Sequence, residues 1–121
     1  MSNDISRKIE DEMLDYEVAV VKYAETQQLP RPIIEQLTSA VTAIGANYAE
    51  AQDASSKKDF INKIYIAKKE AHGTKHWLKF VAGYRGESNE IQDFIDQTQH
   101  FLMALQIILN STHNQSAQGK G

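Results

Sequence analysis

The sequence predicts an all-α fold, an antiparallel up-down-up-down four-helix bundle, on three observations. Both prolines lie together, at positions 30 and 32, so the rest of the chain is free of the strongest helix breaker. Apolar residues recur every three or four positions along four segments, each of about 20 to 25 residues. Only a few residues separate one segment from the next, and such short connections make successive helices antiparallel neighbours.

The first helix is expected from about Asp4 to Gln28, where Pro30 and Pro32 end it. Proline fixes φ and lacks an N–H group, so it stops one helix but is tolerated in the first turn of the next. The second helix is therefore expected from Pro32 to about Gln52. The apolar stripes that should face the core are Ile5, Ile9, Met13, Tyr16, Val20 and Tyr23 in the first helix and Leu37, Val41, Ile44, Tyr48 and Ala51 in the second.

Serine residues predict the starts of the last two helices. Ser56 followed by Asp59 resembles a capping box, and Ser88 can cap the fourth helix. Gly83 is expected to end the third helix as a left-handed cap, and the polar residues after Asn110 are expected to end the fourth. The bundle is thus expected to span residues 1–110, followed by a polar, disordered tail over 111–121. The core stripes are Phe60, Ile64, Ala67, Ala71, Thr74, Leu78 and Val81 in the third helix and Ile91, Phe94, Ile95, Thr98, Phe101, Leu102, Leu105, Ile108 and Leu109 in the fourth.

Length and composition favour one globular domain. The 121 residues are 41% hydrophobic and 24% charged, and a chain of this size can bury about two-thirds of its unfolded surface. It has no cysteine, which excludes a disulfide framework and thiolate metal ligands. No run approaches the roughly 18 apolar residues that cross a bilayer, and the polar N-terminus lacks the apolar run of a signal peptide. We therefore expect no membrane partner and a bacterial-type cytoplasmic location.

The third helix carries a second apolar face, formed by Ile66, Gly73, Trp77 and Phe80, roughly a quarter to nearly half a turn from its core stripe. A monomer has little use for such a face, so it predicts a subunit interface in which the glycine permits close approach. The alternative is that Trp77 and Phe80 only cover the flank of the bundle. The stripe of the fourth helix is wider than one partner helix requires, which adds two residues to the predicted interface, Leu102 and Leu109.

Charge is divided unevenly along the chain. Residues 1–55 carry a net charge of −6, residues 56–86 carry +6, and residues 87–121 carry −3, for a total of −3. A basic stripe with an interleaved aromatic side chain can follow a phosphate backbone, with affinity for RNA that depends on salt and little on sequence. The alternatives are a solvated face, or one attracted by the acidic first helix of a neighbouring copy. The candidate nucleic-acid-binding residues are Lys58, Tyr65, Lys68, Lys69, His72, Lys75, His76 and Lys79.

The sequence contains no arrangement typical of an enzyme active site. His72 and His76 are one helical turn apart, but no third metal ligand lies nearby, which favours surface histidines. Asn47 and Glu50 are expected to be buried polar residues, with the amide fixing helix register. The alternative is a small-molecule-binding or enzymatic bundle with a polar core site at these two residues. With no phosphate-binding glycine loop, nucleophile elbow or paired Glu-x-x-His motif, we expect no cofactor, no metal and no catalysis.

The second and third helices resemble a known family. The segments AIGANYAEAQ (43–52), SSKKDFINK (55–63), IAKKEA (66–71) and TKHWL (74–78) resemble the bacterial four-helix-bundle family also called 23S rRNA intervening-sequence proteins. Its Asn-x-x-Glu pair falls on Asn47 and Glu50, and its Ser-x-x-Asp-Phe element begins at Ser56. The first and fourth helices agree only in pattern and length. One departure is Gly73, which stands where relatives typically have a glutamate.

The resemblance implies a homopentameric barrel of bundles without catalysis. Members are often encoded inside insertions of large-subunit rRNA genes and were once labelled ribosomal proteins. A related branch serves as the accessory subunit of diversity-generating retroelements and binds reverse transcriptase and nucleic acid. The implied partners are therefore further copies of the chain, and RNA or a nucleic-acid enzyme. That branch is more basic than this chain, whose net charge of −3 lowers the expected affinity for RNA.

Overall fold

A computed structural model describes the backbone of residues 3–120 and the side chains of residues 4–113. The four helices are α1 (Asn3–Thr26), α2 (Arg31–Gln52), α3 (Lys57–Arg85) and α4 (Asn89–Lys120). No strand occurs between residues 3 and 120. Each helix packs against the next along the chain, and α1 also meets α4, which closes the bundle. The predicted all-α four-helix bundle is confirmed.

One core runs through the bundle. The core stripes predicted for α2 and α3 are confirmed, except that Phe60 is only half-buried at the start of α3. In α1 the predicted stripe is wrong at Ile5, which is 54% exposed, while the adjacent Ser6 is buried. The Ser6 hydroxyl donates to Gln52 Oε1 at 2.6 Å and lies 3.3 Å from the Tyr48 hydroxyl. A polar contact between α1 and α2 therefore occupies that end of the core.

Two tyrosines join the first helix to the last. The Tyr16 hydroxyl hydrogen-bonds the Thr98 hydroxyl inside the core, and the Tyr16 ring packs 5.0 Å from that of Phe101. The ring of Tyr23 meets Phe94 edge-on at 5.4 Å. Burial raises the pKa of the Tyr16 hydroxyl, so it stays protonated and can donate. These contacts place α1 and α4 side by side although they are far apart in sequence.

The predicted serine caps are confirmed. The Ser56 side chain accepts from the Asp59 N–H at 3.0 Å, which satisfies one of the free N–H groups at the start of α3. The Asp59 carboxylate reaches back to the N–H of Ser55, one residue before the cap, at 3.2 Å. The Ser88 side chain accepts from the Ile91 N–H at 3.2 Å at the start of α4.

The predicted ends of α3 and α4 are wrong. Gly83 lies within α3, which continues to Arg85, and the positive φ of 100° falls on Gly86. Both glycines suit a left-handed cap, so sequence alone does not choose between them. α4 passes Asn110 and ends at Lys120, because the polar segment beyond Asn110 contains no proline and no glycine before Gly119. The boundary of the bundle at residue 110 stays a prediction.

Candidate binding surfaces

The predicted basic residues lie together along the outer face of α3, where they are exposed or half-buried. Tyr65 is 59% exposed, and the Lys68 ammonium lies over its ring, 5.8 Å from the centroid. With Lys69 and His72 these two side chains line a shallow hollow of about 290 Å³. Lys75 turns toward α4 and donates to Gln99 Oε1 at 2.7 Å. We call this set of eight predicted residues the basic face.

A row of aromatic rings follows the next flank of α3, and we call it the aromatic ladder: His76, Trp77, Phe80 and Tyr84. Neighbouring ring centroids are 4.8, 5.9 and 6.0 Å apart along the row. Phe80 and Tyr84, which stack with their planes at 13°, are 40% and 55% exposed. Sequence analysis missed Tyr84, although it lies one helical turn beyond Phe80.

The residues predicted to form a subunit interface differ in how exposed they are. Ile66, Gly73 and Trp77 are half-buried, and a methyl group at Gly73 would lie 3.9 Å from the Ala40 side chain of α2. The flank that contains them therefore partly covers the chain's own bundle, while Phe80 is open. Leu102 and Leu109 were wrongly placed at the interface. They are only 5% and 3% exposed because the wide stripe of α4 is buried within its own bundle.

The buried polar pair predicted on α2 is also wrong. Asn47 is half-buried, and its side-chain amide donates to the Ala43 carbonyl of the same helix at 2.8 Å. Such a bond cannot fix the register between two helices. Glu50 is exposed and forms a salt bridge at 3.2 Å with Lys63 of α3. The polar core site that motivated a small-molecule-binding or enzymatic bundle is therefore absent at these two residues.

The buried acid is instead Glu17 of α1, which sequence analysis missed. Glu17 is 6% exposed, and its Oε2 atom has no hydrogen-bond partner. The carboxyl lies against Gly45 of α2, where an added methyl group would overlap it. Burial raises the pKa of Glu17 to about 7, and the backbone of Gly45 counteracts this only in part. The sequence did carry a signal, since Glu17 lies four residues after Met13 and three before Val20, both in the core.

Glu17 also lines an open cavity of about 670 Å³ between α1 and α2, which we call the Glu17 groove. Leu14 and Val18, on the α1 side, are 59% and 45% exposed. The α2 side is lined by small residues, among them Gly45, Ala46 and Ala49. The other α1 residues along the groove are Val21 and the charged Glu10, Lys22 and Glu25. The groove is therefore lined mostly by apolar and small residues, with four charged side chains, all of them on α1.

Other kinds of site find no support in the part of the chain that the structure describes. No helix there is both long enough and apolar enough to cross a membrane. No three described His, Cys, Asp or Glu side chains are arranged to hold a metal ion. His72 and His76 are exposed on α3, in keeping with their interpretation as surface histidines.

The fold and its surfaces define a class, a small four-helix bundle with a basic outer helix. The chain belongs to the 23S rRNA-intervening sequence protein family, whose model matches residues 12–107. It is similar to a solved structure of a protein with unknown function from the S23 ribosomal protein family of Bacteroides thetaiotaomicron. That similarity has 30% sequence identity and a TM-score of 0.78, and covers 84% of this chain and 97% of that one. None of the curated proteins matches the chain significantly.

Proposed function

We propose that the chain is a non-enzymatic, homo-oligomeric scaffold, a pentamer of bundles, that engages RNA or an RNA-bound protein through α3. The observation that carries this proposal is the composition of α3. The helix has eight basic and only two acidic residues, and exposed aromatic rings lie beside the basic ones. The family resemblance supports the pentameric state. The absence of catalysis is proposed on the same resemblance.

Self-association is supported by the apolar surface that the single chain leaves open. Phe80 and Tyr84 on α3 and Leu14 and Val18 on α1 are all at least 40% exposed. Exposed apolar residues are common singly, but clustered ones mark interaction surfaces. These two clusters lie on different helices, so each copy can make two unlike contacts. Contacts of that kind generate a ring when the rotation closes.

RNA binding is supported by the geometry of the basic face. Its lysines are exposed or half-buried along one helix, and the only α3 lysine in a salt bridge among the described side chains is Lys63, which is not part of it. Exposed lysines can release counterions from a phosphate backbone, and Tyr65 offers a ring on which a base can stack. The acidic α1 does not pack directly against α3 in the described part of the chain.

The assembly is tested by light scattering of the purified chain at micromolar concentration. We expect a single species with about five times the mass of one chain, 13.6 kDa. A clean monomer would contradict the proposal, and another closed oligomer would correct only the number of subunits.

RNA binding is tested by fluorescence anisotropy with a labelled single-stranded RNA at several salt concentrations. Affinity should fall steeply with salt, and the triple variant Lys58→Glu, Lys68→Glu, Lys79→Glu should lose most of it. The matched control reverses three exposed basic residues outside α3, Arg7, Lys8 and Arg31. Equal losses in both variants would show that only net charge matters, and salt-independent binding would rule out the phosphate contact.

A further inference from the structure

The Glu17 groove has the shape of a site for another helix. On one side the exposed Leu14 and Val18 stand out from α1 as a ridge. On the other side the small residues of α2, Gly45 and Ala46 and Ala49, leave the backbone uncovered. A ridge beside a strip of small residues lets a further helix approach closely and bury its side chains between the two.

Glu17 indicates the chemistry of the missing partner. Its side chain is buried, its Oε2 atom has no hydrogen-bond partner, and the residue is one of those that line the groove. Lys22 lines the same groove, yet no side chain among residues 4–113 forms a salt bridge with Glu17. A buried carboxylate without a charged partner is unfavourable. A cationic group on an incoming helix would form the missing salt bridge.

The chain itself carries a helix with these properties. α1 holds seven acidic and three basic residues, a net charge of −4, whereas α3 has a net charge of +6. The aromatic ladder presents Phe80 and Tyr84 for an apolar groove, and Lys69 and His76 are exposed on the same side of α3. RNA is a poor occupant, because its phosphates would meet Glu10, Glu17 and Glu25.

We propose that the Glu17 groove of one copy receives the aromatic ladder of a second copy, with a basic side chain of the second α3 placed against Glu17. The inference rests on the self-association proposed above and names the two surfaces that carry it. Groove and ladder lie on different helices, so the contact is head-to-tail, and each copy donates one surface and accepts with the other. The other six residues of the basic face, apart from Lys69 and His76, stay open on the next flank of α3.

The first experiment changes only exposed residues and measures mass by sedimentation velocity. The variant Leu14→Asp, Val18→Asp should sediment as a single chain of 13.6 kDa with an unchanged helical circular dichroism spectrum. The matched control is Met103→Asp, Ile107→Asp on α4, whose residues are 57% and 64% exposed, and it should keep the wild-type mass.

The outcomes separate this inference from the proposed function. If the wild-type chain is a monomer, the proposed self-association fails and the inference fails with it. If the wild type assembles and the groove variant still assembles, the inference alone is wrong. Loss of assembly in the α4 control, with the groove variant intact, would move the interface to α4.

A charge exchange tests whether groove and ladder meet each other. We expect Glu10→Lys, Glu25→Lys in the groove and Lys69→Glu, His76→Glu beside the ladder each to abolish assembly at low salt. Mixing the two variants restores opposite charges at contacts between unlike copies, so the mixture should form species larger than one chain, although unlike copies cannot alternate around a closed ring of five. A mixture that stays monomeric would contradict the pairing, whereas a groove that binds an unrelated protein would give no such rescue.

The dependence of assembly on pH tests the role of Glu17. A cationic partner lowers the pKa of the carboxyl, so assembly should tighten between pH 5.5 and 8, by roughly tenfold for each unit that the pKa falls. The titratable groups facing Glu17 are Glu10, Lys22 and Glu25 of α1, and the lining residues of α2 carry none. The comparison is with Glu17→Gln, which leaves every other titratable group in place. An identical pH profile in this variant would exclude Glu17 from the contact.

Discussion

The α1–α2 side of the bundle and the outer face of α3 differ in where their ionisable groups lie, one buried and the other at the surface. On α3 the charged side chains are exposed or half-buried at the surface, where they can meet a ligand. On the α1–α2 side one carboxyl lies in the protein beneath an apolar groove, and its pKa rises to about 7. The difference indicates that exposed charges have little effect on stability, whereas a single buried carboxyl makes folding depend on pH.

The largest expected effect concerns Glu17 in the dissociated chain. The folded carboxyl keeps its proton up to about pH 7, whereas its usual pKa is 4.5, so folding takes up a proton between these values. The stability is complete below about pH 4.5 and falls as the pH rises through 7. We therefore expect Glu17→Gln to stabilise the fold by on the order of 2 kcal/mol at pH 8 and hardly at all at pH 4.5.

Urea unfolding at both pH values checks this expectation, at concentrations where the chain sediments as single copies. The control is Glu12→Gln, an exposed carboxylate on the same helix, which should show no such pH dependence. If both variants behave alike, Glu17 is not held in a desolvated position, and the contrast between the α1–α2 side and the outer face of α3 disappears.

A smaller effect is expected from two helical glycines. Gly73→Ala on α3 should stabilise the fold by about 0.5 to 1 kcal/mol, because alanine favours helix and the new methyl group meets Ala40 at an ordinary distance of 3.9 Å. Gly45→Ala adds a methyl group where the Glu17 carboxyl lies, so the flexible carboxyl must move out into the groove.

The measurement for this pair is the Glu17 pKa by NMR titration. In Gly45→Ala the pKa should fall from about 7 toward its usual 4.5, because the carboxyl regains water, whereas Gly73→Ala should leave it unchanged. A Glu17 pKa that stays high in Gly45→Ala would mean that burial by other neighbours, and not the space above Gly45, causes the shift.

The smallest effect is expected on α3. Lys58→Glu, Lys68→Glu and Lys79→Glu should together change the free energy of unfolding by less than about 1 kcal/mol. Lys58 and Lys79 are exposed, Lys68 is half-buried on the same outer face, and surface substitutions away from packed features are near neutral. Thermal unfolding of the triple variant measures this. A large loss would show that these lysines support the fold, which would weaken their assignment to a ligand.

The fold could be predicted because the sequence signals that determine it lie within single helices and turns. Apolar spacing on α2 and α3 and the caps at Ser56 and Ser88 depend on residues within one helix or one turn, and these predictions are confirmed. The end of α3 was harder to predict, since Gly83 and Gly86 have the same conformational freedom and lie only three residues apart.

The binding surfaces were predictable only in part, because burial depends on what faces a residue from another helix. Exposure of Lys58, Tyr65 and Lys79 followed from one helix alone. Leu102 and Leu109 were assigned to an interface since the width of a stripe does not show how many helices will cover it. Glu17 was missed for the same reason: its burial requires the bare backbone of Gly45 on a neighbouring helix.

The contact between Glu17 and Gly45 also has an evolutionary consequence. A side chain at position 45 and a buried acid at position 17 cannot share the same space, so the two positions are not free to change independently. Among relatives, we expect an acidic residue at position 17 to accompany glycine at position 45. Where position 45 carries a larger residue, position 17 should be apolar or small, and the two columns of an alignment should covary.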